Sequence, residues 1–266
     1  LNDLKAYVVS DRLPRISWLL PPAAYSEHPR WTPGYGATYI AKVINALTAN
    51  PQVWAKTVLF IMYDEHDGYF DHVPPPQPPP PVLPGLSTVA VTGEIHDRVT
   101  PYEPARFVAD QLPYGLGPRV PMLAISPWST GGFVCSETFD HTSVLRFMEA
   151  RFGVSEPNIT PWRREICGDL TSAFDFTKHN NVRNILPDTS YLKMQVDAEC
   201  KLTPPSVPSR SLIGDMGQQE PGQRPTRAIG YDLAVNEIEG PNNKLTLRFE
   251  NNGSIGVCFY VYIQNS

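Results

Sequence analysis

Residues 74–84 constrain the fold of this chain more than any other stretch, because eight of these eleven residues are prolines. Proline fixes its backbone φ angle and has no N–H group to donate, so the segment can form neither a helix nor a central strand. The composition predicts a polyproline-like loop. Two roles remain open for it: a stiff wall beside a pocket, which we favour, and a docking site for an aromatic-groove module.

The residues before this segment alternate between strand and helix patterns. Residues 57–62 are an apolar run rich in β-formers, which is typical of a strand buried on both faces. Helices are predicted over residues 2–12 and 40–47, and another strand over residues 15–20. A strand, a loop, a helix and a second strand form a crossover unit, whose strands run parallel. The pattern therefore predicts an α/β fold with a mostly parallel sheet flanked by helices.

The last forty residues have a different pattern. Apolar residues alternate with polar ones over residues 245–249 and again over residues 257–263, with a turn sequence between them, which predicts a β-hairpin. We expect residues 1–217 to belong to the α/β domain. Residues 218–266 are expected to be a linker and the start of a small C-terminal domain resembling a β-sandwich.

Polar side chains collect where predicted strands end. Residues 63–73, directly after the strand at 57–62, hold four acids and two histidines. His28 follows the strand at 15–20, and the pair Asp140-His141 follows a strand predicted at 120–125 and opens a helix. Ligands of open α/β sheets bind at this edge, so we expect His28 and the acidic stretch to share a crevice. The plainer alternatives are a solvated acidic loop and a simple helix cap.

The candidate ligands for a metal ion are Asp64, Glu65, His28 and His141. A divalent cation needs oxygen or imidazole ligands that converge from separate loops, and these residues come from three strand ends. Adjacent residues of an extended strand point to opposite faces. Asp64 and Glu65 can therefore face one ion only if the chain turns there, as Gly68 indicates. His66, Asp67, Asp71 and His72 are expected to support these ligands or to fix the loop.

Composition excludes several classes of function. The formal net charge is −5 and no basic block is present, so nucleic acid is not an expected partner. No apolar run approaches the ~18 residues that a membrane-spanning helix needs. Four scattered cysteines lack the spacing of a zinc site, and their disulfide pairing stays open. The chain begins without methionine, and we expect its N-terminus to be internal to a longer precursor.

Three long motifs resemble one known family. They are YDEHDGYFDHVPPP at residues 63–76, FDHTSVLRFMEARFG at residues 139–153 and PWRREICGDLTSAFDF at residues 161–176. They look like the bacterial phosphatidylcholine-type phospholipases C, whose relatives include an acid phosphatase among the alkaline-phosphatase-like phosphoesterases. The resemblance covers residues 1–180, and the tail from about residue 225 is similar to the C-terminal β domain of the family.

The resemblance implies a metal-dependent phosphoester hydrolase that cuts phospholipids into diacylglycerol and a phosphorylated head group. It places one divalent metal ion, of unknown identity, on Asp64 and Glu65. His28, in a Ser-Glu-His-Pro loop, matches the histidine that protonates the leaving group, and His141 matches another active-site histidine. A choline head group calls for an aromatic cage, for which the candidates are Tyr69, Trp128 and Trp31.

One departure from the family pattern matters. Family members carry a Glu-Asn pair and a Thr or Ser nucleophile near their N-terminus, and this sequence contains no such context. We therefore expect the chain to be the C-terminal portion of a larger secreted or periplasmic enzyme, with the N-terminal part of the same precursor as its partner. Peripheral membrane contact is a further expectation. The alternatives are a soluble acid phosphatase or phosphodiesterase on the same fold and a non-catalytic surface-binding fragment.

Overall fold

The computed structural model describes residues 1–69, 71–83, 85–98, 109–182, 186–203, 222–240 and 244–262. Along the described residues the α-helices and strands come in groups: three helices, two strands, three helices and two strands. The helices are α1 (Asn2–Val9), α2 (Pro33–Leu47), α3 (Pro51–Trp54), α4 (His141–Phe152), α5 (Pro161–Ile166) and α6 (Ser190–Glu199). The strands are β1 (Leu59–Met62), β2 (Met122–Ile125), β3 (Leu233–Glu239) and β4 (Leu245–Asn251). Among the described helices, none is long and apolar enough to cross a membrane.

The chain divides into two compact units. The first comprises Leu1–Phe60, Ala124–Gly131 and Phe176–Arg224. The second comprises Ile61–Leu123, Gly132–Asp175 and Pro225–Ser266. The predicted linker near residue 218 lies in the stretch 204–221, outside the described residues, so the predicted domain boundary is not tested.

The first unit has a core built by α1, α2 and α3. Leu4 and Val8 of α1 are buried against Val43 and Leu47 of α2 and Trp54 of α3. α2 begins earlier than its apolar pattern predicts, because a proline occupies its first turn, where the missing N–H costs nothing. α3 begins at Pro51, where the Asn50 side chain caps it by accepting the N–H of Gln52 at 3.0 Å.

The strand predicted over residues 15–20 is wrong. The structure gives these residues no strand conformation, and Trp18 and Leu20 are 63% and 83% exposed. A strand needs a neighbour to satisfy its backbone groups, and prolines on both sides of this segment interrupt any ladder. The crossover inference loses its first strand with this correction.

β1 and β2 pair in a two-stranded sheet. The N–H of Tyr63, after β1, donates to the carbonyl of Pro121, before β2, at 3.4 Å. The Ser126 hydroxyl, after β2, donates to the Thr57 carbonyl, before β1, at 2.9 Å. The two strands therefore run in opposite directions. The α/β class agrees with this structure, whereas the mostly parallel sheet stays a prediction.

The predicted pairing of residues 245–249 with the C-terminal segment that follows them is wrong. β4 pairs antiparallel with β3, from Leu233 opposite Asn251 to Glu239 opposite Leu245. Residues 257–262 form no strand, and Phe259 instead packs its ring on Phe249 with centroids 5.0 Å apart. In residues 257–262 the alternation therefore accompanies side-chain packing rather than ladder formation.

The second unit is organised around α5. Trp162, Ile166 and Cys167 are buried in one apolar cluster, with Val89, Val91, Leu116 and Cys258 packed against it. Burial in this cluster raises the pKa of the Cys167 thiol. The four cysteines are all free, so no disulfide staples either unit.

Candidate active site

Helix α4 carries His141 as its first residue, and its start is fixed by a complete capping box. One carboxylate oxygen of Asp140 accepts the N–H groups of Thr142 and Ser143 at 2.9 and 3.2 Å. The Ser143 hydroxyl in turn accepts the N–H of Asp140 at 3.0 Å. Gly153 ends the helix in the left-handed conformation. The backbone around His141 is therefore held on both sides.

The ring of His141 lies against the end of β1. Its Nε2 is 3.1 Å from the carbonyl oxygen of Tyr63. A carbonyl oxygen only accepts, so Nε2 carries the proton and Nδ1 is the acceptor in the neutral ring. The structure thus brings together His141 and the residue that directly precedes Asp64. Two of the three polar clusters predicted from the sequence meet here.

Asp64 and Glu65 lie in an exposed turn after β1. The chain turns as expected, because Asp67 and Gly68 both adopt positive φ angles, 56° and 77°. The two carboxylates are adjacent in the sequence, yet within the described ranges no third histidine, cysteine or acid joins them to form a metal-binding group. By themselves these residues do not complete a coordination shell.

His28 belongs to the first unit, in an exposed loop. Its Nδ1 lies 3.2 Å from the carbonyl of Pro29, and its backbone N–H donates to the Ser26 hydroxyl at 3.2 Å. Asp64 and Glu65 belong to the second unit. The shared crevice predicted for His28 and these acids stays a prediction.

The proposed choline cage is also untested. Trp31 and Trp128 belong to the first unit and Tyr69 to the second. The Trp128 ring packs on His179 and Phe176, with centroids 5.2 and 5.9 Å away. Tyr69 is 76% exposed and is the one candidate that lies in the acidic loop.

The loop that follows Glu65 forms one side of a cleft. The cleft has a volume of about 400 Å³ and is lined by His66, Gly68, Tyr69, Asp71, His72, Val73, Pro74, Pro75 and Pro118. Prolines line it together with two histidines, which agrees with the prediction of a stiff wall beside a pocket. The proline segment thus borders a depression that begins one residue beyond Glu65.

Asp71 fixes this loop. Arg119 holds its carboxylate with two bonds, Nε to Oδ2 at 2.7 Å and a terminal nitrogen to Oδ1 at 2.8 Å. The Arg119 side chain and the N–H groups of Arg119 and Val73 lower the pKa of Asp71. The carboxylate is therefore engaged in holding the loop, as predicted for a supporting residue.

A buried ionic network lies behind His141, and sequence reasoning missed it. The Glu94 side chain is 1% exposed and the Asp140 side chain 6%, and the guanidinium of Arg163 bridges them. Burial opposes the charge of Arg163, but hydrogen bonding to Asp140 and the charge of Glu94 together raise its pKa. Sixty-nine residues separate Glu94 from Arg163, and no periodicity connects them.

Residues 1–155 match the model of the Phosphoesterase family. The chain is 48% identical over 271 residues to the non-hemolytic phospholipase C of Burkholderia pseudomallei, covering 98% of this chain and 37% of that protein. It is 48% identical to the non-hemolytic phospholipase C of Pseudomonas aeruginosa, over 98% of this chain and 38% of that protein. It is 31% identical to the non-specific phospholipase C3 of Arabidopsis thaliana over 82% of this chain. The chain thus spans somewhat over a third of the length of these first relatives.

Proposed function

We propose that this chain, which belongs to the Phosphoesterase family, forms one side of the active site of a phospholipase C-type phosphoric ester hydrolase. The substrates would be phosphatidylcholine-like lipids, cut to diacylglycerol and a phosphorylated head group. The observation that carries the proposal is the contact between His141 and the Tyr63 carbonyl, 3.1 Å long. It places an imidazole at the residue that directly precedes Asp64 and Glu65 in the sequence, in a chain 48% identical to proteins named phospholipase C.

Asp64 and Glu65 are the proposed metal-binding residues of this side. They would contribute oxygen ligands to a divalent cation whose remaining ligands come from outside the described residues. When bound, such an ion neutralises charge on phosphoryl oxygens. The exposure of both carboxylates supports this role, because an incoming metal ion can reach them. The alkaline-phosphatase-like sheet is the scaffold that we propose for the complete site.

The two histidines have different proposed roles. His28 would protonate the leaving alkoxide oxygen of the diacylglycerol product, which is the task of a general acid. His141, with Nε2 engaged by the Tyr63 carbonyl, would present Nδ1 as an acceptor for a substrate or nucleophile proton. The nucleophile is assigned to the N-terminal part of the same protein. We place that protein in a secreted or periplasmic compartment, in peripheral contact with its lipid.

The proposal is tested by hydrolysis assays on the native-length protein, meaning the complete chain that its gene encodes. Phosphatidylcholine vesicles are compared with p-nitrophenyl phosphate as substrates for the unaltered protein and for Asp64→Asn, Glu65→Gln and His28→Ala. Loss of the general acid is expected to slow lipid cleavage by about 10²- to 10⁴-fold. Asp97→Asn removes an exposed charge with no proposed role and is the control.

Three results would contradict the proposal in different ways. A wide preference for the soluble ester would favour an acid phosphatase or phosphodiesterase on the same fold. Wild-type hydrolysis by Asp64→Asn and His28→Ala would remove the site assignment, and a native-length protein without hydrolysis of either ester would favour a surface-binding role. Metal content measured on Asp64→Asn and Glu65→Gln separates loss of the ion from loss of the histidine chemistry.

A further inference from the structure

We propose that Arg163 and Glu94 are positioning residues for His141, acting through the carboxylate of Asp140; this inference rests on the proposed role of His141. None of the three charged groups needs to touch a substrate. Together they fix the first turn of α4, and thereby fix the imidazole against the end of β1. The proposal adds two residues, distant in sequence from His141, to the machinery of the site.

The first step is the grip of Arg163 on two acids. Its Nε donates to one oxygen of Glu94 at 2.9 Å, and one terminal nitrogen donates to the other at 3.1 Å. That terminal nitrogen also donates to the carbonyl of Gly115 at 3.0 Å. The opposite terminal nitrogen donates to Oδ2 of Asp140 at 2.6 Å. The planar guanidinium therefore has one orientation that satisfies all four contacts.

The second step is that the two carboxylate oxygens of Asp140 have different partners. Its Oδ1 accepts the amide groups of the helix cap, and its Oδ2 accepts from Arg163. The carboxylate cannot rotate without breaking one of these sets. Since His141 is the next residue, a fixed Asp140 fixes the backbone from which the imidazole projects.

The third step anchors Arg163 itself. Thr160, the N-cap of α5, accepts the N–H of Arg163 at 3.1 Å and donates its hydroxyl to Glu94 at 2.6 Å. The same network therefore joins the caps of α5 and α4. With a side chain only 1% exposed, Glu94 has no water to replace these partners.

Helix capping alone does not explain this arrangement. The cap amides use only Oδ1 of Asp140, so a cap would be complete without Arg163. Buried ion pairs add little net stability compared with apolar residues of the same volume. What the second oxygen gains from Arg163 is a defined direction, which matters where a ring must stay 3.1 Å from one carbonyl.

The test is a double-mutant cycle on hydrolysis by the native-length protein. Arg163→Lys keeps the charge but loses the fork, and Arg164→Lys is the matched control, because the neighbouring arginine pairs with Glu149 instead. We expect Arg163→Lys to lower kcat by about 10- to 100-fold with little change in KM, since a displaced group loses near-attack geometry. Arg164→Lys should leave both values unchanged.

The cycle separates positioning from general damage. In a His141→Ala background, Arg163→Lys should have no further effect, because the group that it positions is gone. If the two losses multiply instead, Arg163 acts independently of His141 and the proposal is overturned. If His141→Ala does not slow hydrolysis, the proposed function of His141 fails. If His141→Ala slows hydrolysis but Arg163→Lys hydrolyses at the normal rate, only the positioning role is overturned.

Asp140→Asn provides the same test where Arg163→Lys fails to fold. Asparagine still caps α4 with its amide oxygen, but its NH₂ group takes the place of Oδ2 and cannot accept from Arg163. A kcat loss that disappears in the His141→Ala background supports the proposal. An unchanged kcat contradicts it.

Discussion

The buried network gives the sharpest stability prediction, a coupling between Glu94 and Arg163. Arg163→Leu leaves the Glu94 carboxylate, 1% exposed, without the two charge-assisted bonds that it receives from the guanidinium. It also removes the partner of Oδ2 of Asp140 and of the Gly115 carbonyl. Glu94→Leu is the second single variant. The double variant Glu94→Leu/Arg163→Leu removes the stranded charge and its partner together.

The magnitude follows from how a lone buried charge differs from a matched pair. Removing one partner of a buried pair costs about 3–5 kcal/mol, because the remaining charge is uncompensated. Replacing both Glu94 and Arg163 by apolar residues avoids the part of that penalty that comes from Glu94, whereas the loss at Oδ2 of Asp140 remains in the double variant. The second substitution should therefore restore about 1–3 kcal/mol of the stability lost in Arg163→Leu, which is the cost of one unsatisfied buried polar group. Asp140 keeps its cap amides in every variant.

Urea unfolding followed by far-UV circular dichroism measures the coupling. The three variants and the unaltered protein are compared by their midpoints at a common slope m. The exposed pair Asp11–Lys56, with side chains 58% and 64% exposed and 3.1 Å apart, is the control cycle, and its coupling should stay below about 1 kcal/mol. Losses at Glu94 and Arg163 that add within about 0.5 kcal/mol would refute the reasoning.

Three further predictions concern single contacts. Arg164 lowers the pKa of Glu149 to about 2 from an ordinary 4.5. This carboxylate therefore stabilises the fold above pH 4.5 and loses its contribution as the pH falls towards 2. In acid unfolding, Glu149→Gln should weaken the pH dependence of the free energy of unfolding in that window. The hydrogen bond to Asp197 raises the pKa of Tyr35 to about 12, so Asp197→Asn should return one tyrosine to titration near 10 by ultraviolet absorbance. Gly153 has a φ of 68°, so Gly153→Ala should cost about 1 kcal/mol or more in urea unfolding.

Local sequence signals were sufficient for the elements that carry His141 and the acids. The apolar run at residues 57–62 predicted β1, and the pair Asp140-His141 predicted the start of α4. Each of these signals depends on residues within one turn or one strand. The meeting of α4 with the end of β1 agrees with the grouping of His141 with Asp64 and Glu65. The parallel-sheet rule behind that grouping does not account for the contact, because β1 and β2 run in opposite directions.

Signals that need a distant partner were misread. The apolar residues at 15–20 match a strand pattern but acquire no strand neighbour, and Leu20 remains 83% exposed. The alternation over residues 257–263 matches a hairpin, yet β3 supplied the partner of β4. A period of two shows which faces a segment can present, whereas pairing depends on what the rest of the chain places beside it.

Glu94 shows why the charged network could not be read from the sequence. Glutamate is almost never fully buried unless it is paired, so a lone Glu in an irregular stretch is assigned to the surface. Only packing shows that its side chain is 1% exposed and that an arginine sixty-nine residues later reaches it. A chain that buries two acids around one arginine accepts a desolvation cost that apolar residues would avoid. That cost is best explained by what the network holds in place, the Asp140 cap and the histidine that follows it.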